Sequence, residues 1–120
     1  MKIIISGAYA IGTHLAKMLS RNHEDITLLD EDEDRLAHIG SNFDLLTMQA
    51  SPSSIKVLRA AGADHADLFI SVTPDQSLNI TSCVLAKALG AKKTVAMINN
   101  SEYTDPELQA LSLIHISEPT

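Results

Sequence analysis

The sequence predicts an α/β fold: one doubly wound parallel sheet with helices on both faces. Two observations predict it. Five short apolar runs alternate with four segments of helical periodicity over 120 residues. The chain also begins with a strand, a glycine turn and a helix, and a second apolar run ends on an aspartate eighteen residues after the last of those glycines.

The elements follow in order. Ile3–Ile5 is the first strand and leads into Gly7, Ala8, Tyr9, Ala10, Ile11 and Gly12. Ile11, Leu15, Met18 and Leu19 are spaced i, i+4, i+7, i+8, which predicts the inner face of a helix. Arg21 to Asp25 is a polar turn, and Ile26 to Asp30 is the second strand. Glu31 to Asp34 are four consecutive acids. They suit the positive end of a helix dipole, and no ligands converge on them from other segments to make a metal site. Leu36 and Ile39 are the buried side of that helix, and Gly40 stops it.

Phe43 to Met48 is the third strand. Ser51 to Ser54 is a turn and N-cap before a helix with Ile55, Leu58 and Ala61 on one face, ended by Gly62. Leu68 to Val72 is the fourth strand, opened by Ala66-Asp67. Thr73, Pro74 and Asp75 start the longest helix, Gln76 to Leu89, closed by Gly90 with Lys92 and Lys93 near its negative end. Thr94 to Ile98 is the fifth strand, and Asn99 to Glu102 a polar loop.

Parallel strands joined by right-handed crossovers give the order 3-2-1-4-5. A crevice then opens above the carboxyl ends of strands one and four, where the order reverses. The loops facing it carry Gly7–Gly12, Asp30, Ala50–Ser51 and Thr73–Asn79. This is the setting of a Rossmann-like dinucleotide fingerprint. Gly7 suits the tight turn, Gly12 lets the helix pack close on the sheet, and the free N–H groups of the helix start face a phosphate. Asp30 stands where a carboxylate accepts hydrogen bonds from an adenosine ribose and repels a 2′-phosphate. The middle glycine of the fingerprint is Tyr9 here, whose ring crowds the phosphates unless it turns away. Two readings stay open for Thr73 and Asn79: contact with a nucleotide, or helix cap and ordinary polar face.

Composition narrows the function. Hydrophobic residues make up 45% and aromatic residues 3%, so the core is aliphatic. The net charge is −6 with no basic block, which argues against nucleic acid and against docking on an anionic bilayer. No apolar run approaches the roughly 20 residues that span a membrane. The first strand starts at once, so no signal peptide is expected, and the single Cys83 excludes an intrachain disulfide. A cytoplasmic protein is expected. The five histidines share no metal spacing with one another or with Cys83, and no nucleophile elbow, phosphate loop or Tyr-x-x-x-Lys dyad occurs. A regulatory module without chemistry is therefore expected. The alternative is the cofactor half of a truncated NAD-dependent dehydrogenase.

With these segments placed, the chain resembles the N-terminal KTN/RCK nucleotide-binding domain of Trk-type potassium-uptake regulators, the TrkA family. The resemblance runs from Met1 to about Tyr103. It is carried by Met1–Ile5, Gly7-Ala8, Ile11-Gly12, Asp30 with its acidic helix start, Leu58–Ala63, Ala66-Asp67, Val72-Thr73, Asn79 and Ser101–Tyr103. It implies a cytoplasmic regulatory subunit that binds NAD(H) or ATP/ADP, forms a homo-oligomer, and gates a membrane potassium transporter subunit. Such a subunit sits peripheral to the inner membrane through that protein partner. The chain departs from the family at Tyr9, at Ala50-Ser51 in place of Gly-Asp, and at Met97 in place of an arginine. Weak affinity is the expected consequence.

The last ten residues, Leu111–Thr120, break the rhythm and match a translated transposon-type sequencing adapter residue for residue. They are expected to be a non-native tail, leaving residues 1–110 as an incomplete nucleotide-binding domain.

Overall fold

A computed structural model describes residues 1–39 and 43–98 in full and the backbone of residues 115–117. Gly40, the Asn99–Glu102 loop and the rest of the tail lie outside the described residues. The strands are β1 (Lys2–Ser6), β2 (Asp25–Asp30), β3 (Leu46–Gln49), β4 (Leu68–Ser71), β5 (Thr94–Met97) and β6 (His115–Ser117). The helices are α1 (Ala10–Ser20), α2 (Glu33–Ala37), α3 (Ile55–Ala60) and α4 (Gln76–Leu89), with a single 3₁₀ turn at Ala63–His65. All ladders are parallel and the order is β3-β2-β1-β4-β5-β6. The predicted five-strand order 3-2-1-4-5 is therefore observed, and the tail backbone adds one strand beyond it. An open sheet edge presents unpaired main-chain groups that any extended segment can meet.

β1 lies at the centre, in register with Ile26–Leu29 of β2 on one side and Leu68–Ser71 of β4 on the other. Its side chains alternate between two cores. Ile4 joins Leu29, Leu58, Phe69 and Cys83 under α3 and α4. Ile3 and Ile5 join Ile26, Leu28, Ile70 and Ala16 under α1 and α2. Ile4, Leu28, Ile70 and Val72 are all buried, as a central aliphatic sheet requires. Each such side chain contributes about 1.5–3 kcal/mol of burial free energy.

Two helix faces differ from their predicted ones. In α1 the residues turned to the sheet are Gly12, Ala16 and Ser20, while Ile11 and Met18 are exposed. The cause is close approach. A Cβ on Gly12 would overlap the Gly7 carbonyl oxygen, so the helix presents its small residues to the sheet and Leu15 and Leu19 pack at the flank. In α3, Leu58 and Ala61 are buried but Ile55 is exposed, and the partly buried Val57 takes its place against the core. β3 also starts later than predicted, at Leu46. The Leu45 N–H turns back to the Phe43 carbonyl, which keeps Phe43 to Leu45 out of the ladder.

Candidate functional site

A crevice of about 260 Å³ opens at the carboxyl ends of β1 and β4. Its walls are Ser6, Gly7, Tyr9, Leu29, Asp30, Glu31, Arg35, Pro52, Thr73, Pro74, Asp75 and Leu78. Of the residues expected from the sequence, Gly7, Tyr9, Asp30 and Thr73 line it.

The turn between β1 and α1 is built by Gly7 and Gly12. Gly7 has φ +109°, a conformation that side chains rarely adopt, and a Cβ there would stand 3.0 Å from Thr73 Cγ2. Tyr9 is the N-cap of α1 with φ −81°, so this position needs no glycine for its backbone. The N–H groups of Ala10, Ile11 and Gly12 belong to the first helical turn, where no intrahelical acceptor exists. A helix start of this kind favours an anion.

Asp30 is the electrostatic centre. Its carboxylate is almost wholly buried at the end of β2. The Ala8 N–H donates to Oδ2 at 2.7 Å and the Asp32 N–H to Oδ1 at 2.8 Å. Arg35 adds Nε at 3.1 Å from both oxygens and Nη2 at 3.0 Å from Oδ1. Burial alone would push the carboxyl up. The Arg35 guanidinium and the N–H donors of Asp32 and Ala8 outweigh it and hold Asp30 below the usual carboxylate range. The Tyr9 ring and the Arg35 guanidinium lie against each other, 4.2 Å from ring centroid to Cζ. Tyr9 and Arg35 thus form a partition. Beyond it a second, shallower cavity is lined by Ala8, Tyr9, Ala10, Thr13, His14, Lys17, Arg35 and His38.

Asn79 resolves differently from Thr73. It is fully buried and lines neither cavity. Its Nδ2 donates to the carbonyls of Thr73 at 2.9 Å and Met97 at 2.7 Å. Its Oδ1 accepts from the Thr73 N–H at 3.0 Å, from Thr73 Oγ1 at 2.6 Å and from Ser71 Oγ at 2.9 Å. Asn79 therefore holds the ends of β4 and β5 together and fixes Thr73, with no capacity left for a ligand. Ala50 and Ser51 also stand off the crevice. The Ala50 N–H bonds to the Asp30 carbonyl, the Ser51 hydroxyl meets Ser53 at 3.1 Å, and the neighbouring Pro52 forms the wall. Ile11 faces outward. Met97, expected where an arginine reaches the phosphates, packs instead against the core that holds Ile3 and Ile5.

Sequence reasoning did not single out Ser6 or Arg35. Each carried a signal. Ser6 is the polar residue closing an isoleucine run, and Arg35 is the one cation beside four acids. Among the described residues no group of three or more His, Cys, Asp or Glu comes together to hold a metal, and no helix is long and apolar enough to cross a membrane. Burial pushes the Cys83 thiol up to about 12, which suits a core thiol and not a nucleophile.

The family model of the TrkA-N domain matches residues 3–117. The Trk system potassium uptake protein TrkA of Haemophilus influenzae is 45% identical over 104 residues, covering 86% of this chain and 23% of that protein. The chain spans about a quarter of the length of most of these curated relatives and about half of one. Among solved structures, the GsuK RCK domain superposes with a TM-score of 0.75 at 26% identity, covering 98% of this chain and 25% of that one. The GsuK channel bound to NAD superposes with a TM-score of 0.78 at 18% identity, covering 96% and 21%.

Proposed function

The chain belongs to the TrkA-N domain family, and we propose that it is the nucleotide-sensing part of a Trk-type potassium uptake system. The ligand is an adenine nucleotide, NAD(H) or ATP/ADP, seated in the crevice. One observation carries this reading: a helix start, a glycine turn and a buried carboxylate converge at one end of the central strand. The first turn of α1 receives the phosphates, and Asp30 receives the adenosine ribose. For the ribose to bind, Arg35 gives up part of its contact with Asp30, and the Tyr9 ring moves with it. The NAD named for the GsuK channel supports the ligand class.

A nucleotide-sensing module of this kind works through differential binding to two states. In this reading it is a cytoplasmic, homo-oligomeric regulator held at the inner membrane by a potassium transporter subunit, and nucleotide shifts how neighbouring domains pack.

Calorimetric titration of this chain with NADH, NAD⁺, ATP and ADP tests the ligand. Absence of heat for all four removes the nucleotide reading. Potassium flux through the full-length protein reconstituted with its transporter tests the role. Flux indifferent to nucleotide, with a melting temperature that still rises on binding, leaves the crevice a purely stabilising site.

A further inference from the structure

We infer that the Ser6 hydroxyl is a ligand-reading group at the floor of the crevice, left unpaired by the protein and satisfied by an oxygen of the bound nucleotide. The inference rests on the nucleotide reading given above.

Ser6 is fully buried, and its Oγ has no hydrogen-bond partner among the described residues. Buried polar groups are nearly always paired, so each exception calls for a reason. Among the described residues two hydroxyls are left this way, Ser6 and Ser82, and of the two Ser6 lines the crevice.

The other buried polar side chains of the crevice are already committed. Asp30 is taken by Ala8, Asp32 and Arg35. Thr73 Oγ1 donates toward Asn79 Oδ1 and accepts the Asp75 N–H at 3.2 Å. Nor can the Ser6 backbone shift to bring the hydroxyl a partner. It is paired with Leu29 on one side and Ser71 on the other, and its carbonyl accepts the Val72 N–H at 2.9 Å. Strand alternation puts Ser6 on the face of Ile4, the α3/α4 side, where Pro52 and Leu78 wall the crevice.

A hydroxyl both donates and accepts, so it suits a ribose hydroxyl or a phosphate oxygen, met directly or through one water. A wholly apolar ligand would leave it unpaired. The ligand class is therefore one that presents a sugar–phosphate oxygen over the end of β1.

The test compares wild type with Ser6→Ala by titration with adenosine, AMP and NADH, and by melting without ligand. The expected result is about five- to tenfold weaker binding of AMP and NADH, with a ligand-free melting temperature equal to or above that of wild type. A penalty that persists with adenosine assigns the ribose oxygen; one confined to AMP and NADH assigns the phosphate. Equal affinity in the two proteins overturns the Ser6 role and leaves the nucleotide reading intact. A lower ligand-free melting temperature also overturns it, because the hydroxyl then stabilises the fold itself. If wild type binds none of the three, the nucleotide reading falls and the Ser6 role with it.

Discussion

The Asp30 carboxylate holds the main chain of Ala8: the Ala8 N–H donates to Oδ2 at 2.7 Å across twenty-two residues of sequence. This bond ties the end of β2 to the glycine turn, so Asp30 shapes the site as well as lining it. Asp30→Ala leaves the Ala8 and Asp32 N–H groups and part of the Arg35 guanidinium without their acceptor. We expect a loss of about 3 kcal/mol, read from urea midpoints. Arg35→Ala should cost much less, since Arg35 is a third exposed and solvent screens the pair. Equal losses in the two variants would show that the ion pair, and not the main-chain bonds, carries the contribution.

Acidification should expose the same residue. Asp30 is held below its ordinary value of 3.8. A depressed folded value contributes stability that is fully present above the unfolded pKa and is lost as pH falls through the folded one. The stability gap between wild type and Asp30→Asn should therefore be constant from pH 7 to about 5 and narrow below about pH 4. Denaturant melts at successive pH values measure it, and a gap that persists unchanged at pH 2 contradicts the assignment.

Gly12→Ala tests the contact that sets the helix. Its Cβ would overlap the Gly7 carbonyl oxygen, a backbone atom that cannot rotate aside. The expected cost is about 3 kcal/mol or more, seen as a large fall in thermal midpoint. A mild effect would mean that α1 lifts from the sheet easily.

Asn79→Ala should be among the most damaging substitutions in the chain. It strips acceptors from the Thr73 N–H and Oγ1 and donors from the Thr73 and Met97 carbonyls. A loss of about 3 kcal/mol or more is expected. Circular dichroism with denaturant reports it, and near-wild-type stability would refute the hub.

Tyr9→Leu keeps bulk at the helix N-cap but removes the ring over Arg35. The stacking is partly exposed, so about 0.5–1 kcal/mol is expected. A double-mutant cycle with Arg35→Ala isolates that term. A coupling energy of zero would show that the ring and the guanidinium are merely neighbours.

Sequence alone determined the strand–turn–helix start, the five-strand order and the aliphatic core, because these follow from local periodicity and from the backbone freedom of glycine. It also brought Gly7, Tyr9, Asp30 and Thr73 to one crevice, since the loops after parallel strands must gather at their carboxyl ends. Tertiary structure alone decided which side chains are free to act there. The inner face of α1 fell to Gly12, Ala16 and Ser20 because of a distance to the Gly7 carbonyl, which no hydrophobic pattern encodes. Asn79 turned from candidate contact to buried hub because its partners lie at the end of β4, in the loop after it and on β5, eight, six and eighteen residues away. Ser6 entered the site for the same reason, since its lack of a partner shows only when β1 stands between β2 and β4. Arg35 meets Asp30 five residues away, through the turn from β2 into α2. Hydrogen-bond satisfaction is a property of neighbours in space, and the sequence lists neighbours only along the chain.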